Sequence, residues 1–600
     1  MNSKELKTRD QIDRKYKWNI EAMISDESAI DGDLEDIRKR AEKFASDYAG
    51  NLTKDASVLL HAFRDRDSIW RDLEKIFVYS RMRRDENNAE SRYQAMTNKC
   101  GAVIAAVSAA MSFFTPELLS ASEDTILEYT AQEDGLKEYE FAIRDTLRQK
   151  AHVLSESEEN IMAQMSEVTG ATNEIFTMLN NADLKFGTIT DEDGDKVEVT
   201  HGNYIKFMES HDRNVRKAAY DAMYDSYKSL INTIASTYNY NTKTDVISAR
   251  IRKYDSARAA ALSGDNIPAE VYDNLVSTVN ENLPVMHRYT ALRKKLLGVD
   301  RMYMYDMYVP LIELPKKDIP YEEALDIMRD ALRPLGSEYI DKMNKGISEG
   351  WIDVYENKGK TSGAYSFGCY DSYPYILLNY TDTLKDVFTV IHEMGHSMHS
   401  RYTRDNQPYI YGSHSIFTAE VASTVNESLL MQHLFKTEDD TEMKKYLLNL
   451  HLEEFRTTLF RQTMFAEFED ITHKAIENGQ VLTSDWMCEQ YEALNAKYYG
   501  PAVEKDDTIR YEWARIPHFY NAFYVYKYAT GYSAATAISE KILSEGEPAA
   551  KAYIEFLKTG ESDYPIELLK IAGVDMSSPE PIKKAMDTFS RLLDEFEKLV

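Results

Sequence analysis

The stretch LKDVFTVIHEMGHSMHS, residues 384–400, decides how this chain is read. Leu384, Val387, Phe388, Ile391, Met394 and Met398 recur at three- and four-residue spacing, which predicts one buried face of a helix. Thr381, Asp382 and Thr383 just before it are candidate N-cap residues. On such a helix His392 and His396 stand one turn apart on the same side. Two imidazoles so placed can reach one metal ion, and Glu393 lies beside the first of them, the pattern of metal-assisted hydrolysis. A chain with 13 His in 600 residues contains HExxH by chance about 0.03 times, so the surroundings must decide.

A catalytic zinc site takes three protein ligands and keeps a fourth position open. The third is sought in the next apolar run, Ile416 to Glu427, which follows the cap-like Ser413-His414-Ser415. Glu420 and Glu427 are seven residues apart and project from one face. Glu420 sits among small and apolar residues, where a carboxylate without a partner is costly, so it is the expected ligand. Glu427 is the candidate to orient a ligand histidine. His399 is expected behind the ligands or on the surface, and His414 in a loop. The longer HExxHxxGxxH pattern is absent, since position 399 is His and position 402 is Tyr.

Composition narrows the setting. Seventy-one Lys and Arg against 100 Asp and Glu give a net charge of −29, which disfavours nucleic acid and anionic membranes as partners. The start, Met1 to Lys7, has no apolar run, and no segment reaches about 18 uninterrupted apolar residues. The three cysteines, Cys100, Cys369 and Cys488, show no paired spacing. A cytoplasmic location is therefore expected. Cys369, near the expected cleft, is the one thiol expected to be sensitive to oxidation. The GKT at 359–361 is no P-loop, because position 354 is Val where that motif needs Gly.

Most of the chain reads helical, for example through Leu59, Phe63, Ile69 and Trp70. Leu184–Thr190 and Lys196–Thr200 flank the turn Asp191-Glu192-Asp193-Gly194-Asp195 and predict a hairpin; its Gly falls at the fourth position rather than the sixth of a calcium loop. Tyr373 to Asn379 predicts a strand ahead of the histidine helix, expected at a sheet edge where a peptide backbone can pair. Gly359 to Gly363 has the composition of a flexible loop. The expected organisation is an N-terminal helical region at 1–111, a second domain at 112–181 and a catalytic domain at 200–590.

Five blocks together resemble the oligoendopeptidase F branch of the thimet oligopeptidase-like zinc peptidases. They are Gly363–Ser366, Tyr373–Tyr380, the run at 392–400, Ile416–Ser423, and Pro517-His518-Phe519-Tyr520-Asn521-Ala522-Phe523-Tyr524-Val525-Tyr526-Lys527-Tyr528-Ala529-Thr530-Gly531. The resemblance implies a mainly α, zincin-type metallopeptidase. Two helical halves would surround a deep substrate channel, with a small β-sheet near the active site. It implies one Zn2+ per chain on His392, His396 and Glu420, and Glu393 as general base on zinc-bound water. His518 and tyrosines of the last block would stabilise the oxyanion, with Tyr520 and Tyr526 named first and Tyr524 next. The expected activity is endopeptidase cleavage of short oligopeptides. The rivals are a zinc aminopeptidase or dipeptidyl carboxypeptidase, and a non-catalytic peptide-binding protein.

Overall fold

A computed structural model describes residues 6–313 and 317–600; Met1 to Glu5, part of the start without an apolar run, lie outside the described residues. The chain forms two compact units, each assembled from segments distant in sequence. The first comprises Met1–Ala151, Lys317–His433 and Ile538–Gly573; the second comprises His152–Lys316, Leu434–Ala537 and Val574–Val600. Helices dominate both, and strands are few and short.

In the first unit, α1 (Ile30–Tyr48), α2 (Ala56–Glu86) and α3 (Ser91–Ala110) pack together. Asp55 caps α2 by accepting from the backbone N–H of Val58 at 2.9 Å, and Leu59, Phe63, Ile69, Leu73 and Ile76 form its buried face. The stretch Ser91–Ser120 is long and apolar enough, by composition, to cross a membrane. Its first helix, α3, buries Met96, Cys100 and Val107 within the unit.

The strands β1 (Ile352–Asp353), β2 (Tyr365–Phe367) and β3 (Tyr375–Leu377) make a sheet of order β1-β3-β2. β3 pairs parallel to β1 and antiparallel to β2. The strand expected at 373–379 is therefore present but central; Tyr375, Ile376 and Leu377 are 0% exposed. The half-buried β2 is an edge strand instead. The Gly359–Gly363 stretch is tied down on both sides. Asn379 Nδ2 donates to the carbonyls of Thr361 and Gly363, and Thr361 Oγ1 donates to Asp85. A buried ion network holds the sheet to the N-terminal segment: Asp353 accepts from Arg9 and from Lys360, each at 2.8 Å, and Glu86 accepts from Arg9 and from Trp18 Nε1.

The second unit packs the helix Arg461–Glu477 against helices at Ile231–Ile251 and Ser484–Tyr499. Glu512, 1% exposed, is clasped there by Arg461 at 2.7 Å, Arg515 at 3.4 Å and the Tyr491 hydroxyl at 2.5 Å. The hairpin expected at 184–200 forms between Thr188–Thr190 and Lys196–Glu198. Asp191 closes its turn by accepting at Oδ1 from the N–H groups of Asp193 and Asp195. The acidic side chain serves the turn, as a polar hairpin requires.

Candidate metal centre and catalytic residues

The quoted stretch forms α4 (Leu384–Asn406), capped by a reciprocal box. Thr383 Oγ1 accepts from the N–H of Asp386 at 3.2 Å, while Asp386 Oδ2 accepts from the N–H of Thr383 at 3.0 Å. Val387, Ile391, Met394 and Met398 are 0% exposed, the stripe that the spacing predicts. Burying each such side chain stabilises the helix on its neighbours by about 1.5–3 kcal/mol. The next helix, α5 (Ile416–Thr437), lies against α4. Gly395 makes that contact possible: a Cβ there would stand 2.6 Å from Ser423 Cα and 2.7 Å from the Ala422 carbonyl oxygen.

This close packing brings His392, His396 and Glu420 together, their ligand atoms all within 4.8 Å of one another. The two Nε2 atoms are 3.2 Å apart, and each is 3.6 Å from Glu420 Oε2. Two nitrogens sharing one tetrahedral zinc at about 2.0–2.1 Å stand about 3.3 Å apart, so the nitrogen spacing and the donor set both fit that ion. Glu427 Oε1 lies 3.2 Å from His392 Nδ1, where it fixes the ring and leaves Nε2 as the metal-facing atom. Burial alone would lower the His392 pKa, but Glu427, Glu393 and Glu420 outweigh it and raise it to about 9. Burial and the neighbouring His392 charge push His396 the other way. Two imidazoles this close do not both carry a proton; a shared cation resolves the conflict.

Glu393 is 8% exposed, and burial pushes its carboxyl up to about 7 against the pull of His392. It accepts from the backbone of Ser366 in β2, and Ser366 Oγ is 2.8 Å from Ser397 Oγ, so the edge strand and α4 are stitched together beside this carboxylate.

His399 is 2% exposed and stacks on His414 with ring centroids 3.8 Å apart. It is not at the surface, and neither ring belongs to the cluster. Cys369 is 1% exposed, and burial raises its thiol to about 11, which leaves it a poor nucleophile and overturns the expected sensitivity.

The 517–531 block belongs to the second unit and divides its tyrosines sharply. Tyr520 turns inward and stacks on Phe176 at 4.3 Å; Tyr526 is 1% exposed and lies 5.2 Å from the Tyr272 ring. His518 is exposed and keeps company instead with the half-buried Tyr524 and Tyr528, at 6.1 and 6.0 Å, which are 5.5 Å from each other. Partial loss of solvation on one side of the ring and the Arg461 charge lower the His518 pKa. Phe523, between these groups, has φ 55°, and its N–H donates to Glu469 Oε1 at 3.0 Å. Tyr528 lies in the block that carries the resemblance, and its separation from His518 along the chain gives no sign that the two rings come near each other.

Comparison with known proteins places the chain in a family. Residues 206–588 match Peptidase family M3, and residues 117–186 match Oligopeptidase F. Oligopeptidase PepF of Bacillus subtilis is 46% identical over 596 residues, covering 99% of this chain and 89% of that protein. A solved structure from Chlamydophila abortus, 36% identical, superposes with a TM-score of 0.94 over 99% of this chain and 100% of its own. The structure of oligoendopeptidase-F from Enterococcus faecium, 40% identical, gives 0.74 over 94% and 97%. The chain belongs to peptidase family M3, in its oligoendopeptidase F branch, and is a metalloendopeptidase of oligopeptides.

Proposed function

We propose that the chain holds one zinc ion on His392, His396 and Glu420, uses Glu393 as its general base, and works in the cytoplasm on short peptides. The observation that carries this reading is the convergence of the two Nε2 atoms and Glu420 Oε2 beside a buried carboxylate on the same helix. Zinc, when bound, supplies Lewis-acid polarisation of the scissile carbonyl and of the attacking water. Glu393 takes the proton of that water and passes it to the leaving amine. Glu427 keeps the His392 ring in the orientation that presents Nε2. The half-buried edge of β2 offers backbone groups to an extended peptide, a way of holding many sequences alike.

His518 supplies a hydrogen-bond donor to the developing oxyanion, and Tyr524 and Tyr528 serve with it rather than the inward-facing Tyr520 and Tyr526. The three buried cysteines are unpaired, which suits a reducing compartment.

The test is a pair of variants. Glu393→Gln retains zinc while turnover falls by about a thousandfold or more; wild-type turnover in that variant removes the assigned base. Glu420→Ala is purified without zinc, and full zinc content by elemental analysis would move the third ligand elsewhere. Cleavage of peptides blocked at both termini, read by mass spectrometry, reports the position and length range of cutting.

A further inference from the structure

The first unit contains a second cavity, of about 570 Å³, between α2, the turn after β2 and the segment that begins at Arg404 near the end of α4. Asp67, Trp70 and Glu74 face it from one side of α2; Phe367, Arg404 and Tyr409 close the other side. Its volume lies in the range of small-ligand sites.

Two cations, Arg66 and Arg404, and two carboxylates, Asp67 and Glu74, line this cavity. Arg404 is half-buried, and its Nε and Nη1 are fully buried with no hydrogen-bond partner among the described residues. Burial draws its pKa down, and the nearby Glu74 carboxylate does not restore it. Glu74 shows the opposite strain: burial raises its carboxyl despite Arg404 and the backbone of Tyr370. Asp67 is raised in the same way even beside Arg66.

The neighbouring cations are already engaged. Arg66 bonds Asp67 at 3.3 Å and lies over the Phe63 and Phe114 rings, and Arg71 grips Asp371 through two hydrogen bonds. Gly368 packs close to Arg404: a Cβ there would stand 2.6 Å from the Tyr373 carbonyl oxygen and 3.0 Å from Nη1. A buried guanidinium with unmade hydrogen bonds carries a penalty of roughly 1–3 kcal/mol or more for each group.

A simple anion would pair with Arg404 and worsen Glu74 and Asp67; a simple cation would do the reverse. A zwitterion answers both. We propose that this cavity binds a free amino acid or short peptide with an aromatic side chain, its carboxylate on Arg404, its ammonium on Glu74 and Asp67, and its ring against Trp70, Phe367 and Tyr409.

The experiment is calorimetric titration of the full-length protein with phenylalanine, phenylalaninamide, which lacks the carboxylate, and N-acetylphenylalanine, which lacks the ammonium. Phenylalanine binds saturably, and each blocked analogue binds at least about tenfold more weakly. Arg404→Met abolishes the binding and Glu74→Gln weakens it at least about fivefold, with metal content unchanged in both. No saturable heat with phenylalanine, equal affinity for either blocked analogue, or wild-type affinity in Arg404→Met would each overturn the proposal. If Arg404→Met does not fold, Glu74→Gln decides alone, and an unchanged phenylalanine affinity there overturns the proposal as well.

Discussion

The N–H of Phe523 is held by Oε1 of Glu469 at 3.0 Å, and Phe523 takes a left-handed φ of 55° that a bulky side chain rarely adopts. Such strain costs on the order of 1–3 kcal/mol and persists only where the surroundings enforce it. Glu469 is 0% exposed, and burial raises its carboxyl well above the usual range. Tyr524 follows directly in the chain. Glu469→Gln, which keeps an acceptor, is expected to retain kcat. Glu469→Leu is expected to lower kcat on the order of tenfold with little change in KM, because the aromatic group is displaced. Equal kcat in both variants would show that the clamp does not position Tyr524.

The two pairs of tyrosines separate by the same logic. Tyr524→Phe and Tyr528→Phe remove hydroxyls beside His518 and are expected to reduce kcat/KM by about 10- to 1000-fold in at least one case. Tyr520→Phe leaves a ring stacked on Phe176 and loses a hydroxyl without a hydrogen-bond partner among the described residues, so steady-state kinetics should barely change.

Glu427 does not enter the three-donor cluster, yet it faces the back of His392 at 3.2 Å. Glu427→Ala should weaken zinc binding by about 10- to 100-fold, measured by competition with a chromogenic chelator. Zinc affinity equal to wild type would reduce this carboxylate to a surface charge.

The Glu512 cluster in the second unit makes an acid-stability prediction. Burial opposes ionisation of Glu512, but Arg461 and Arg515 win and hold its pKa down to about 2 from 4.5. A depressed carboxylate stabilises the fold above its unfolded pKa, and that contribution disappears as pH falls from about 4.5 towards 2. Glu512→Gln strands two buried guanidinium groups and should cost about 3–5 kcal/mol at neutral pH. Its melting temperature should be low at pH 7 and change less than that of wild type between pH 4.5 and 3.

Much of the candidate metal centre was legible because the determinants of its geometry are local. The α4 stripe, its Thr383 cap and the one-turn spacing of His392 and His396 all follow from helical periodicity. Glu420 and Glu427 followed from the same period on the next helix. The losses came where periodicity stops. Pro517–Tyr520 is a 3-10 turn, Phe523 reverses the sign of φ, and a helix begins only at Tyr526, so counting along the block could not separate inward from outward tyrosines. The central place of β3 depends on the two-residue partner Ile352–Asp353, too short to announce itself as a strand. Whether His399 lay behind the ligands or on the surface stayed open, because its stacking partner, His414, comes from beyond the end of its own helix.

Gly395 changes what the fourth letter of the pentapeptide means. With Ser423 Cα and the Ala422 carbonyl oxygen already at contact distance, even alanine is expected to force α4 and α5 apart, at about 1–3 kcal/mol and with a measurable loss of zinc. The position is a spacer between two backbones, set to the thickness of a hydrogen atom. Grafting HExxH onto another helix would therefore reproduce the ligands of one strut and miss the gauge that seats the second, and a transplanted centre has to carry the Ala422–Ser423 surface along with the histidines.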